Sequence, residues 1–240
     1  MNHHRFIACG AVAITVFSAP AIGQVTLGPF TRYVEAHASA STGGSGPTER
    51  IDGAGYGLFD ELVNVYAEDP PIAQGSGLAR QQSNIQPVAE ELQVSISGRV
   101  FGLGHGPMTA GSGSGRSLAV LEFTVIQSIP WRLLTNMTTR ADGPSFGFAT
   151  SKLERLSPAP ATLADHSYWF FGPQTASGML SPGVYRFTTD FNISSPNEGS
   201  AEYNYNVLLA IPSAPSVVLA GAGLLASTRR RRPRIERRTP

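Results

Sequence analysis

Cysteine is all but absent from this chain. The one residue, Cys9, lies within the first apolar segment, so disulfides, thiol catalysis and cysteine-ligated metal are excluded for everything beyond it. No Gly-x-Ser-x-Gly elbow occurs, and a hydrolase serine has no seat of that kind. The histidines His37, His105 and His166 are too far apart for a local metal motif. Asp52, Asp60, Glu61, Glu68 and Asp69 lack the regular Asp-x-Asp-x-Asp order of a calcium loop and read as solvated acidic surface. Gly111-Ser-Gly-Ser-Gly115 is followed by Arg116 where a phosphate loop needs lysine. That run is expected to be a flexible surface loop. No catalytic, cofactor-binding or metal residue is assigned, no cofactor is implied, and the expectation is a protein that is not an enzyme.

Charge of one sign is missing from the body of the chain. The formal net charge is +1, yet Arg229 to Pro240 holds seven arginines and one glutamate. What precedes that block is therefore net acidic. Phosphate binding needs a basic surface, so nucleic acid is not an expected partner.

Helical periodicity is also lacking, with nothing between the two ends reading as a helix of more than two turns. Glycine, proline and serine instead punctuate short runs in which apolar residues alternate with polar ones, as in antiparallel strands with one face in the core. Leu92, Val94, Ile96 and Val100 alternate with Gln93, Ser95, Ser97 and Arg99. Leu121, Phe123 and Val125, then Tyr185, Phe187 and Phe191, then Tyr203, Tyr205, Val207 and Leu209 repeat the pattern. Thr31 to Ser41 has an inner face of small residues and suits an edge or a tightly packed position. Phe59–Ala67, Leu78–Gln86, Leu133–Thr138, Phe146–Leu156 and Tyr168–Phe171 are further strand candidates. Pro182-Gly183 predicts a type II turn, with glycine at the position that needs positive φ. The fold expected is all-β, an antiparallel β-sandwich of jelly-roll-like order over residues 24–210.

The two ends read as addresses. Arg5 precedes an apolar stretch from Phe6 to Phe17, and small residues around Ala21 and Gly23 suit a cut after Gly23, making 1–23 a secretory signal peptide. At the other end Pro212, Ala214, Pro215 and Ser216 precede an apolar segment from Val217 to Ala226, which four arginines, Arg229, Arg230, Arg231 and Arg232, terminate. A helix over Val217–Thr228 would be roughly 18 Å long against a bilayer core of about 30 Å, which suits a short transmembrane helix serving as a temporary anchor. The arginines fix its orientation by holding to the cytoplasmic side.

This order of prolines, short apolar helix and basic stop resembles the C-terminal sorting signal of PEP-CTERM proteins, the substrates of exosortases. Ala214-Pro215-Ser216 occupies the place of the family's Pro-Glu-Pro, without the glutamate. The blocks Gly57–Asp60, Ser76–Ile85, Leu121–Val125 and Ser177–Tyr185 look like stretches found in uncharacterised exported PEP-CTERM proteins of planctomycete-type bacteria. The resemblance implies that 211–240 is a sorting signal, that a processing enzyme of exosortase type and, transiently, the inner membrane are partners, and that the protein reaches the cell envelope or the extracellular space.

On that reading the chain is an exported structural or adhesive protein of the envelope or matrix. The alternative is a secreted carbohydrate-binding module with the same address and an extracellular polysaccharide as partner, for which Trp131, Tyr168 and Trp169 offer rings for stacking on a glycan. A secreted hydrolase has the least support.

Overall fold

The computed structural model describes residues 21–22, 24–40, 46–69, 73–88, 91–106, 111–167, 172–196 and 198–212. Among them every regular element is a strand. In chain order these are β1 (Ala21–Ile22), β2 (Val25–Ser39), β3 (Thr48–Ala54), β4 (Phe59–Asp69), β5 (Ala73–Val88) and β6 (Glu91–His105). There follow β7 (Ser112–Val125), β8 (Ile129–Asp142), β9 (Phe146–Ser157), β10 (Ala161–Ser167), β11 (Gly172–Leu180), β12 (Gly183–Pro196) and β13 (Gly199–Pro212).

All pairings are antiparallel and build two sheets. One has seven strands in the order β1-β2-β7-β12-β9-β10, with β3 also against β2. The other has six, in the order β11-β8-β13-β6-β5-β4. They pack face to face on a large apolar core, a β-sandwich-like arrangement in which Leu121, Phe123 and Val125 are buried and Ser95 faces water. The last eight strands nest first with last: β6 pairs β13, β7 pairs β12, β8 pairs β11 and β9 pairs β10. Within this set only the β9–β10 link stays in one sheet.

Side-chain size, graded along the strands, shapes the core. The inward positions of β7, preceded by Gly111, run Gly113, Gly115, Ser117, Ala119, Leu121, Phe123 and Val125, all buried. Facing them, β5 runs Ala73, Gly75, Gly77, Ala79, Gln81, Ser83 and Ile85, and β2 contributes Ala40, Ala38, Ala36 and Val34. The sandwich is therefore a wedge. At the thick end Phe123 stacks on Tyr185 with ring centroids 5.5 Å apart, beside Phe187 and Leu27. At the thin end the sheets approach backbone to backbone. A Cβ on Gly113 would stand 1.8 Å from the Ser76 carbonyl oxygen, and one on Gly77 2.2 Å from that of Ser114.

This overturns the expected loop at Gly111–Gly115. The run leads into a central strand, with its glycines against the opposite sheet and Ser112 and Ser114 on the outer side. Alternating Gly and Ser carries too little apolar surface to be read as a strand by hydrophobic periodicity, yet glycine is what so close an approach requires. Pro182-Gly183 is also corrected. Gly183 does not take positive φ and starts β12, so the segment carries the chain from one sheet to the other instead of turning a hairpin. The room its missing Cβ leaves is taken by the Ser157 carbonyl, 2.3 Å from where that atom would stand. The Tyr168–Phe171 candidate lies outside the described residues.

Both expected segment boundaries meet the sheets. Ile211 is 1% exposed and opposite Leu92, and Pro212 is opposite Glu91, so β13 continues two residues beyond the anticipated limit at 210. Ala21 and Ile22 pair with Thr26 and Val25. A cut after Gly23 would remove this short arm and leave β2 its ladders to β7 and β3.

Replacing Gly113 by valine is expected to lower unfolding free energy by at least about 2 kcal/mol through overpacking. The outward Ser114→Val should change it little. Urea unfolding of both variants checks this, and equal losses would contradict the close contact of the sheets.

Candidate ligand-binding face

The two outer faces differ in how fully their charges are used. On the seven-stranded sheet, Arg116 grips Asp190 through two contacts at 2.7 and 3.0 Å, and Arg186 holds Glu122 at 2.7 and 3.1 Å. Arg50 lies 2.6 Å from Asp52, and its guanidinium covers the Tyr33 ring at 3.8 Å. Tyr33 is only 6% exposed as a result. Burial raises its pKa, with Arg116 opposing the shift. Hydrogen bonds to Asp190 and Asp52 raise Arg116 and Arg50 further above the usual arginine range. This face is closed by its own ion pairs.

The six-stranded sheet presents amides, hydroxyls and loosely held arginines. Across its middle, Asn204 on β13 lies opposite Arg99 on β6, which lies opposite Arg80 on β5. The next row sets Asn206 beside Ser97 and Ser97 beside Gln82. Like charges directly opposite across a ladder are destabilising. Arg80 and Arg99 relieve this by splaying apart, Arg80 to Asp60 at 3.2 Å on one side and Arg99 to Glu202 at 2.8 Å on the other. Between them lies a hollow of about 460 Å³ walled by Leu62, Leu78, Arg80, Gln82, Arg99 and Asn204. Arg99 is also a wall of a second, separate hollow, with Phe101, Arg140, Asp142 and Glu202.

The core holds this face from beneath. Tyr205 stacks on Phe191 with centroids 3.8 Å apart. Its hydroxyl lies 2.6 Å from Ser117 Oγ and 3.1 Å from the Arg80 carbonyl, in the space where a Cβ on Gly98 would stand. Burial pushes the Tyr205 phenol far above its ordinary pKa. Ser117 donates to Gln81 Oε1 at 2.8 Å, and Gln81 Nε2 donates to Ser83 Oγ at 2.9 Å. Arg32 reaches Ser83 Oγ at 3.2 Å and the Gly57 carbonyl at 2.8 Å. Desolvation lowers its pKa, and its charge is shared with the Phe30 and Phe59 rings at 5.0 and 4.9 Å. The Arg32 Nε has no partner among the described residues. One polar chain thus crosses the sandwich from Tyr205 to Arg32.

The residues proposed from sequence fare unevenly. Trp131 is 5% exposed, pointing into the core from β8, so it offers no ring to a glycan, contrary to expectation. Its position on an alternating strand at the thick end demands a large apolar side chain. Tyr168, Trp169, Ala214, Pro215, Ser216 and Arg229 to Arg232 lie outside the described residues, while Pro212 ends β13. His37 contacts Thr48 at 2.8 Å, His105 is exposed at the end of β6 and His166 lies 2.9 Å from Thr135 Oγ1 in the core. Among the described residues no three of His, Cys, Asp and Glu gather as a metal site. Asp52 and Asp60 instead pair with Arg50 and Arg80. Sequence reasoning missed Arg80 and Arg99, because only the β5–β6 register makes them neighbours.

Burial lowers the His166 pKa, with Asp165 opposing. The unfolded chain therefore binds the proton more readily. Stability from the neutral ring is present above the unfolded value of about 6.5 and is lost as pH falls below it. Melting temperature should fall between pH 7.5 and pH 5 more for the wild type than for His166→Gln. Parallel curves would contradict the burial of a neutral imidazole.

No known family model and no curated protein matches the chain.

Proposed function

We propose that this chain is a non-enzymatic, exported structural or adhesive protein of the cell envelope or extracellular matrix, delivered by an exosortase-type C-terminal signal. The observation that carries the reading is the junction at Pro212. Among the described residues the last strand reaches Pro212, where the sequence passes into the proline, apolar and arginine order of 212–232. Under this proposal 1–23 is a signal peptide, the apolar segment is a short transmembrane helix held transiently in the inner membrane, and the arginines set its orientation. The nested pairing of β6 to β13 supports a jelly-roll order for the exported part, with β2 to β5 extending its two sheets.

A second reading, a carbohydrate-binding module with the same address, is favoured by the amide- and arginine-lined hollow of the six-stranded sheet. Here the contact surface is that face, and Trp131 has no part in it.

Replacing Arg229 to Arg232 with serine should release or misplace the anchor, since the apolar run is short and Gly221 and Gly223 weaken its helix. Fractionation of cells and medium, in a host that carries an exosortase, reads the outcome. Identical distribution of wild type and variant would overturn the sorting proposal.

A further inference from the structure

We propose that the hollow between Arg80 and Arg99 binds an anionic polysaccharide, with a carboxylate or sulfate of the sugar chain lying between the two guanidiniums. This deepens the glycan-contact reading and rests on it.

Arg80 and Arg99 carry a local cost. Two arginines directly opposite on neighbouring central strands repel each other, and among the described residues each has a single contact to a carboxylate, at 3.2 Å for Arg80 and 2.8 Å for Arg99. Each guanidinium carries five N–H donors. Both side chains line the hollow and are 54% and 46% exposed, which leaves donors open to a ligand. The paired arginines of the opposite face, by contrast, spend their forks on Asp190 and Glu122. An anion held by both Arg80 and Arg99 would cancel their repulsion and take up forked donors that match its geometry.

The remaining walls select a sugar over a peptide. β5 and β6 each pair on both sides, so their main-chain groups are consumed by the ladders. An extended peptide binds by adding to a free edge and would find no backbone partners here. Gln82 and the carbonyl of Asn204 instead offer side-chain hydrogen bonds to hydroxyls, and Leu62, 53% exposed, offers an apolar surface to a ring's C–H face.

The test is calorimetric titration of the full-length protein with polygalacturonate oligomers, dextran sulfate, neutral dextran and polyglutamate. Binding of polygalacturonate or dextran sulfate is expected, and the better of the two tells carboxylate from sulfate. Arg80→Gln and Arg99→Gln should each weaken that binding about tenfold, the worth of a charged hydrogen bond. Asn204→Ala should weaken it about threefold by removing a neutral one. Arg132→Gln, on the same face but remote in register from the hollow, should leave it unchanged. The proposal is overturned by no binding to either anionic glycan, by equal binding of neutral dextran or polyglutamate, or by an Arg132→Gln loss as large as that of Arg80→Gln. Failure here leaves the fractionation result untouched, so loss of the glycan site and loss of the sorting reading are separately visible.

Discussion

The close approach of the two sheets at their glycine-lined end is the constraint from which the rest follows. Antiparallel sheets pack about 10 Å apart when ordinary side chains interdigitate. Gly75 and Gly77 of β5, lying over Gly113 and Gly115 of β7 with nothing but hydrogen between the backbones, permit far less. Large side chains at the other end, Phe123, Tyr185 and Phe187 among them, hold the sheets apart. A wedge of this kind fixes register. Sliding β7 by two residues against β12 would preserve its inward face but drive Ser117 toward the thin end, where no side chain fits, and leave a gap beside Tyr185.

The fixed register in turn decides what the outer faces carry. Because Gly75 must lie beside Gly104 and Gly77 beside Gly102, Arg80 has no choice but to fall opposite Arg99. The core reinforces this from below, since the Tyr205 hydroxyl under Gly98 also holds the Arg80 carbonyl. On the other sheet the same rigidity sets Arg116 near Asp190 and Arg186 near Glu122. One face is neutralised by its register and the other is left with unspent donors. Neither outcome belongs to a single strand.

Alternation made β6, β7, β12 and β13 legible in the sequence wherever large apolar residues occupied the inner face, as Leu92, Val94 and Ile96 do. It failed where the inner face is glycine or alanine. Gly111–Gly115 looks like a linker by composition and is the entry to a central strand. β5 was visible only from Leu78 onward, although Leu78 itself points outward and the inward positions are Gly77, Ala79, Gln81 and Ser83. Periodicity in hydrophobicity reports how much apolar surface is buried. It is silent when what is buried is backbone. The same limit hid the Arg80–Arg99 pair, which depends on long-range register, and made Trp131 look available because its face could not be assigned without knowing its partner strand.

The end of the last strand joins the fold to the proposed address. β13 lies between β6 and β8, the interior of its sheet, paired with β6 from Gly199 to Pro212 and with β8 from Ser200 to Ala210. A chain tethered through residues beyond Pro212 therefore pulls on a strand that must shear two ladders at once to leave. An edge strand such as β4 or β11 would peel from one ladder, a bond at a time. Ile211, buried against the core at the final turn of the pleat, adds apolar contact where such a load would first arrive. Under the proposed sorting, a tether on an interior strand lets the folded part resist a pull on the C-terminal segment for as long as the anchor lasts.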